Sequence, residues 1–201
     1  MTAVMDRDRI LGLFRETGAM LEGHFILSSG KHSDRYFQCA LLLEDPRRAE
    51  KLAQALAGKL RARDARPFDL VMGPALGAVI WAHEVARALG ARCQFTERSE
   101  GRMGLRRGFR VEPGLRVLVV EDVITTGGSA REVIEVLKGF DVPAAAVAGI
   151  VNRSGGNPFA KDGLELSTLC AVQANAWKPE ACPLCQAGGK AIKPGSRPKP
   201  A

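Results

Sequence analysis

No apolar run in this chain of 201 residues reaches the roughly 18 needed to cross a bilayer, so no transmembrane helix is expected. The opening MTAVMDRDRI has neither a basic n-region nor a long apolar core, which argues against a secretory signal. Cysteines number five, an odd count that excludes a fully paired disulfide framework and points to reduced thiols in a cytoplasmic protein. Aromatic residues make up only 5% of the chain and do not interleave with the basic ones. A nucleic-acid platform needs stacking rings along a basic face, so none is expected despite a net charge of +7.

That charge is concentrated in two places. Residues 98–110, RSEGRMGLRRGFR, hold five arginines against one glutamate, and residues 177–201 hold four lysines and one arginine against one glutamate. Each segment carries +4, which leaves the remainder at −1. The first lies between two expected strands and contains three glycines. At 13 residues it is long enough to suggest a mobile lid that closes arginines over a phosphate-rich ligand. A solvated basic hairpin is the plainer alternative. The second, with five prolines and three glycines, reads as an extended, partly disordered tail.

What the chain does have is the 46% hydrophobic and 25% charged content of a globular domain with a sizeable core. Helical spacing covers 6–18, and Pro46 starts a helix whose face is Ala49, Leu52, Ala53, Leu56 and Leu60. Two short strands, His24–Ser29 and Tyr36–Ala40, flank a turn and suggest a small hood over residues of about 20–42. Further strands are expected at Phe68–Met72, Arg92–Thr96, Val117–Val120, Ala144–Val151 and Leu164–Val172. Between them lie helices burying Val79, Ala82, Ala86 and Leu89, then Ala130, Val133, Ile134 and Leu137. Strands alternating with helices imply an α/β fold, a central parallel sheet flanked by helices. Ligands of such sheets sit beyond the C-terminal strand ends. Gly73-Pro74, Arg98, Glu121-Asp122 and Asn152-Arg153 all fall there.

The centre of the chain is Arg116–Ser129, RVLVVEDVITTGGS. A strand buried on both faces runs into two acids, Glu121 and Asp122, then Val123, Ile124 and the small-residue loop Thr125, Thr126, Gly127, Gly128 and Ser129. Backbone N–H groups and hydroxyls at the start of the following helix suit a phosphate. The acids cannot hold that phosphate, and suit a polyol or a metal-bound sugar.

This stretch resembles the phosphoribosyl-diphosphate (PRPP) binding motif of the type I phosphoribosyltransferases. Within that family GHFILSSGKHSDRYFQ, FDLVMGPALGAV and IVNRSGG are similar to segments of the orotate phosphoribosyltransferases, over about residues 10–172. The resemblance implies the family's fold, with residues 1–176 as the enzyme domain, and transfer of phosphoribosyl from PRPP to N1 of orotate in pyrimidine biosynthesis. It also implies Mg²⁺ and a homodimer that shares its lid. It assigns Val123, Ile124 and Thr125 to Ser129 to PRPP, the loop to the 5′-phosphate, and Glu121 and Asp122 to the ribose. Arg98 and Arg102 fall to the diphosphate, and Arg153, Thr125 and Lys31 to orotate. Asp122, Arg98 and Arg102 would carry catalysis. No metal ligand among the protein side chains is implied with any specificity.

The better-known enzymes carry lysines where this chain has Ser28 and Leu76-Gly77, and a lid with a second basic residue and a histidine that are missing here. Two alternatives stay open: transfer to another base, or a PRPP-responsive regulator without turnover. Cys182-Pro183-Leu184-Cys185 is a CxxC, but no second ligand pair stands at finger or ribbon spacing, and His24, His32 and His83 show none. No metal is expected there, with zinc shared between chains and redox chemistry as alternatives. His83 is expected to pack in its helix.

Overall fold

The computed structural model describes residues 5–27 and 29–194, so Ser28 and the end of the tail lie outside the described residues. Chain order gives helix α1 (Arg7–Glu16), strands β1 (Met20–Ile26) and β2 (His32–Phe37), and helices α2 (Cys39–Leu43) and α3 (Pro46–Arg63). Then follow β3 (Leu70–Pro74), α4 (Val79–Leu89), β4 (Arg92–Ser99), β5 (Arg102–Leu105), β6 (Val117–Ile124) and α5 (Gly128–Lys138). The chain finishes with β7 (Ala144–Asn152), β8 (Leu166–Ala171), β9 (Ala176–Trp177) and α6 (Pro183–Gln186).

The expected α/β architecture is present. Six strands form one sheet in the order β5-β4-β3-β6-β7-β8, parallel throughout except for β5, which returns antiparallel on β4. β6 lies at its centre because Val117–Val120 is apolar on both faces, and all four side chains are fully buried. One face packs on α1, α3 and α4, through residues such as Phe14, Leu52, Leu56 and Trp81. The other packs on α5, which buries Ala130, Val133, Ile134 and Leu137 as its spacing predicts. α1 is capped by Asp6, whose carboxylate accepts from the Arg9 amide at 2.8 Å, and α3 starts at Pro46.

Four expectations need correction. The hood's first strand runs from Met20 to Ile26, and its second ends at Phe37, where Cys39–Leu43 turns helical instead of extending. α4 buries Trp81 and Val85 together with Ala82 and Ala86, so its inner face is rotated from the one expected through Val79 and Leu89. His83 lies on the outer face of that helix, exposed. The tail, as far as it is described, is folded: β9 adds a third strand to the hood, Ile192 bridges to Phe25, and α6 packs beneath the hairpin. That packing brings His24 and His32 beside Cys182 and Cys185, although nothing in their spacing announces it. Among the described residues, no helix is long and apolar enough to cross a membrane.

Candidate active site

The C-terminal ends of β6 and β7 meet the hood around a cleft of about 490 Å³. Glu121, Asp122, Val123, Thr125 and Ser129 line one side, all from β6 and the loop after it. Tyr36 and Phe37 of the hood face them, and Arg153 closes the end. A larger cleft, about 570 Å³, opens at the opposite end of the sheet, but its Arg116 and Asp64 are tied together at 2.7 Å. Its other cations are paired too, Arg66 with the same Asp64 at 2.7 Å and Arg63 with Glu165 at 3.4 Å.

The loop geometry follows from one glycine. Gly127 caps α5 in the left-handed region, φ +78°, and no side chain caps that terminus. The first N–H groups of α5 are therefore without an intrahelical partner, beside the hydroxyls of Thr125 and Ser129. A Cβ on Gly127 would stand 2.7 Å from the fully buried ring of Phe159. Gly127→Ala is expected to cost about 2–3 kcal/mol of stability, read as a lower midpoint in urea unfolding, because neither the backbone nor the ring can yield. Gly77, in the turn after β3, approaches the acids: a Cβ there would lie 3.3 Å from Asp122 Oδ2.

Glu121 and Asp122 are adjacent and mostly withdrawn from water. Burial first, then the neighbouring Asp122 carboxylate, pushes Glu121 far above the ordinary carboxylate range; burial likewise raises Asp122, against a 2.8 Å hydrogen bond from the Val123 amide. The pair, rather than either residue, thus retains a proton near neutrality. Tyr36 is raised too, by burial and then by Asp122. Because the folded pair binds protons that the unfolded chain has released, stability falls as pH rises from about 5 upward. Glu121→Gln removes this cost. It is expected to stabilise the ligand-free protein by about 1–2 kcal/mol at pH 8, discounted because the cleft admits water, and by clearly less at pH 5. Denaturant midpoints at the two pH values decide this, and equal gains would count against the shared proton.

Arg153 follows β7, its amide donating to the Ile124 carbonyl at 2.7 Å. Its Nη2 donates to Ser33 Oγ at 2.8 Å and to the Arg35 carbonyl at 3.1 Å, and its guanidinium carbon stands 5.3 Å from the Phe37 ring centroid. Burial lowers its pKa from the usual value, though an arginine remains a cation. Nε of Arg153 is buried without a partner among the described residues. A cation held this firmly with a donor left over is prepared for an anion.

The remaining expected residues are dispersed. Ile124 points into the core beneath the site, while Thr126 and Gly128 are exposed on the loop. Lys31 is exposed at the hood's tip, outside the cleft wall. None of residues 98–110 lines the cleft. Arg98 reaches α5 instead, bonding Glu132 at 2.7 Å, and Arg107 grips Glu97 through two 2.9 Å bonds. Lys193 and Pro194 of the tail do line it. No local signal in the sequence could have placed them there.

An acid pair on a buried strand, an uncapped helix terminus and a poised arginine define a site for a phosphorylated sugar and an anionic partner. A model of the phosphoribosyl transferase domain matches residues 41–183. The orotate phosphoribosyltransferase of Caldicellulosiruptor bescii is 50% identical over 195 residues, 97% of this chain and all of that one. Among solved structures, orotate phosphoribosyltransferase from Aeropyrum pernix superposes with a TM-score of 0.66 at 28% identity, covering 82% of this chain and 94% of that one. The Mycobacterium tuberculosis orotate phosphoribosyltransferase in complex with PRPP gives 0.63 at 27% identity, covering 83% and 96%. The chain belongs to the phosphoribosyltransferase family.

Proposed function

We infer that this chain is an orotate phosphoribosyltransferase, transferring the 5-phosphoribosyl group of PRPP to N1 of orotate with release of diphosphate. The observation that carries the base assignment is Arg153, a largely buried guanidinium that lines the same cleft as the acid pair and whose Nε–H has no partner among the described residues. Orotate brings a carboxylate to it, whereas a purine offers that fork no anionic partner.

In this reading the loop from Thr125 to Ser129 takes the 5′-phosphate. Glu121 and Asp122 hold the ribose hydroxyls, shed the proton they share, and favour the cationic sugar as its bond to diphosphate breaks and N1 attacks. Thr125 also reaches orotate, and Tyr36 and Phe37 cover the ring. Catalysis is then positioning and charge stabilisation. Mg²⁺ would neutralise diphosphate charge when bound, held chiefly by the oxygens of diphosphate and ribose, with the hard carboxylate oxygens of Glu121 and Asp122 beside them. Arg98 and Arg102 stand on a hairpin turned from the cleft of their own subunit, which favours a homodimer in which each lid serves the neighbouring site. Lys193, from the tail at 177–201, supplies the cleft with the lysine that Lys31 does not. All five cysteines are unpaired, in keeping with a cytoplasmic enzyme.

The test is an absorbance assay with PRPP and Mg²⁺, offering orotate, uracil, adenine and hypoxanthine separately. Mg²⁺-dependent consumption of orotate alone is expected. Turnover of a purine would discard the Arg153 assignment, and tight PRPP binding without turnover would make the protein a regulator.

A further inference from the structure

The soft donors of the molecule gather on the far side of the hood. His24 of β1, His32 at the start of β2, Cys182 before α6 and Cys185 within it place their ligating atoms within 4.8 Å of one another. We propose that these four residues form a Cys₂His₂ site for one tetrahedral Zn²⁺ ion, which clamps the C-terminal segment to the hood.

Geometry is the first support. Zinc lies about 2.3 Å from thiolate sulfur and about 2.0–2.1 Å from imidazole nitrogen, so a tetrahedron around it has S···N edges of about 3.5 Å. Here Cys182 Sγ is 3.4 Å from His24 Nε2, Cys185 Sγ is 3.7 Å from the same nitrogen, and Cys185 Sγ is 3.3 Å from His32 Nδ1. The two imidazole nitrogens, 2.9 Å apart, need spread only a few tenths of an ångström to reach the tetrahedral edge of about 3.3 Å.

Chemistry is the second. Two sulfurs and two imidazoles converging on one point select zinc over the hard cations that oxygen donors hold. His24 Nδ1 lies 3.1 Å from the Gly189 carbonyl, which can only accept, so that nitrogen carries the proton. Nε2 is thereby left with its lone pair facing the sulfurs, the arrangement that outer hydrogen bonds impose on metal-bound histidines. Gly189 cannot change freely, since a Cβ would fall 2.9 Å from the Leu184 carbonyl. Cys182 is fully buried and His32 nearly so, which shields the centre from solvent.

The clamp has a consequence for the cleft. His24 and Cys182 are 158 positions apart, so the ion closes most of the chain into a loop. His32 precedes Ser33, which holds Arg153, and the tail continues from the clamp to Lys193 at the cleft wall.

Elemental analysis of the full-length protein, purified under reducing conditions without chelator, is expected to give about one zinc per chain. After cobalt exchange the intact protein should show the visible bands of tetrahedral Co²⁺ and thiolate-to-cobalt charge transfer. Cys182→Ser and Cys185→Ser should each cut bound metal at least tenfold, while Cys93→Ala keeps it. Absence of both zinc and the cobalt spectrum in the wild-type chain overturns the proposal without recourse to any variant. So does a Cys182–Cys185 disulfide in the protein freshly isolated under non-oxidising conditions.

Discussion

Asp122→Asn is expected to lower kcat/KM by about 10²–10³-fold while leaving the protein folded and somewhat more stable. The substitution keeps the shape of the side chain and its place beside Gly77, and removes only the charge. A preorganised group facing developing positive charge contributes about 3–4 kcal/mol, the range seen when one such partner is deleted at other active sites. The accompanying stability gain separates this loss from misfolding. Burial raises Asp122, and its charge raises Glu121, so an amide at position 122 relieves a cost in the ligand-free chain. Steady-state kinetics and denaturant unfolding on the same preparation give both numbers. Near-wild-type turnover would remove Asp122 from the ribose site, and low turnover with low stability would point to a structural role.

The parts of the site that were legible in the sequence are those within one strand–loop–helix unit. Val117–Val120, the acid pair, the glycine loop and the inner face of α5 follow from local periodicity, and the structure places each where the pattern requires. Arg153 was legible as well, because the end of β7 fixes which edge of the sheet it occupies. Other features depend on contacts between distant segments. Lys193 reaches the cleft because Ile192 bridges to Phe25 across the fold. The four soft donors meet because α6 packs under a hairpin whose histidines sit eight residues apart, a spacing that matches no zinc motif. The face of α4 is not legible in the sequence for a different reason. Its alanines leave two orientations of similar hydrophobicity, and burial of Trp81 decides between them. In the basic segment, the ion pairs of Glu97 with Arg107 and of Arg98 with Glu132 give definite shape to what composition alone reads as a mobile loop.

Arg153→Ala is expected to weaken orotate binding by about two orders of magnitude and PRPP binding by no more than about threefold. A charge-assisted fork to a carboxylate in a partly desolvated site is worth about 2–3 kcal/mol, and every 1.4 kcal/mol is tenfold in affinity. The asymmetry follows from where the groups lie. Arg153 is held by Ser33 and the Arg35 carbonyl on the hood, whereas the acids and the glycine loop lie at the end of β6 and the start of α5. Ser33 survives the truncation, because its hydroxyl still donates to the Asn175 carbonyl at 2.7 Å and accepts from the Arg35 amide. The hood should therefore keep its shape, so the loss reports recognition rather than collapse. Arg153→Lys sharpens the test. An ammonium preserves the charge but cannot span Ser33, Arg35 and a ligand carboxylate at once, so it should recover only a small part of the affinity. Calorimetric titration of each ligand into each variant supplies the comparison. Equal losses for both ligands, or full rescue by lysine, would show that Arg153 contributes charge to the cleft without reading the base.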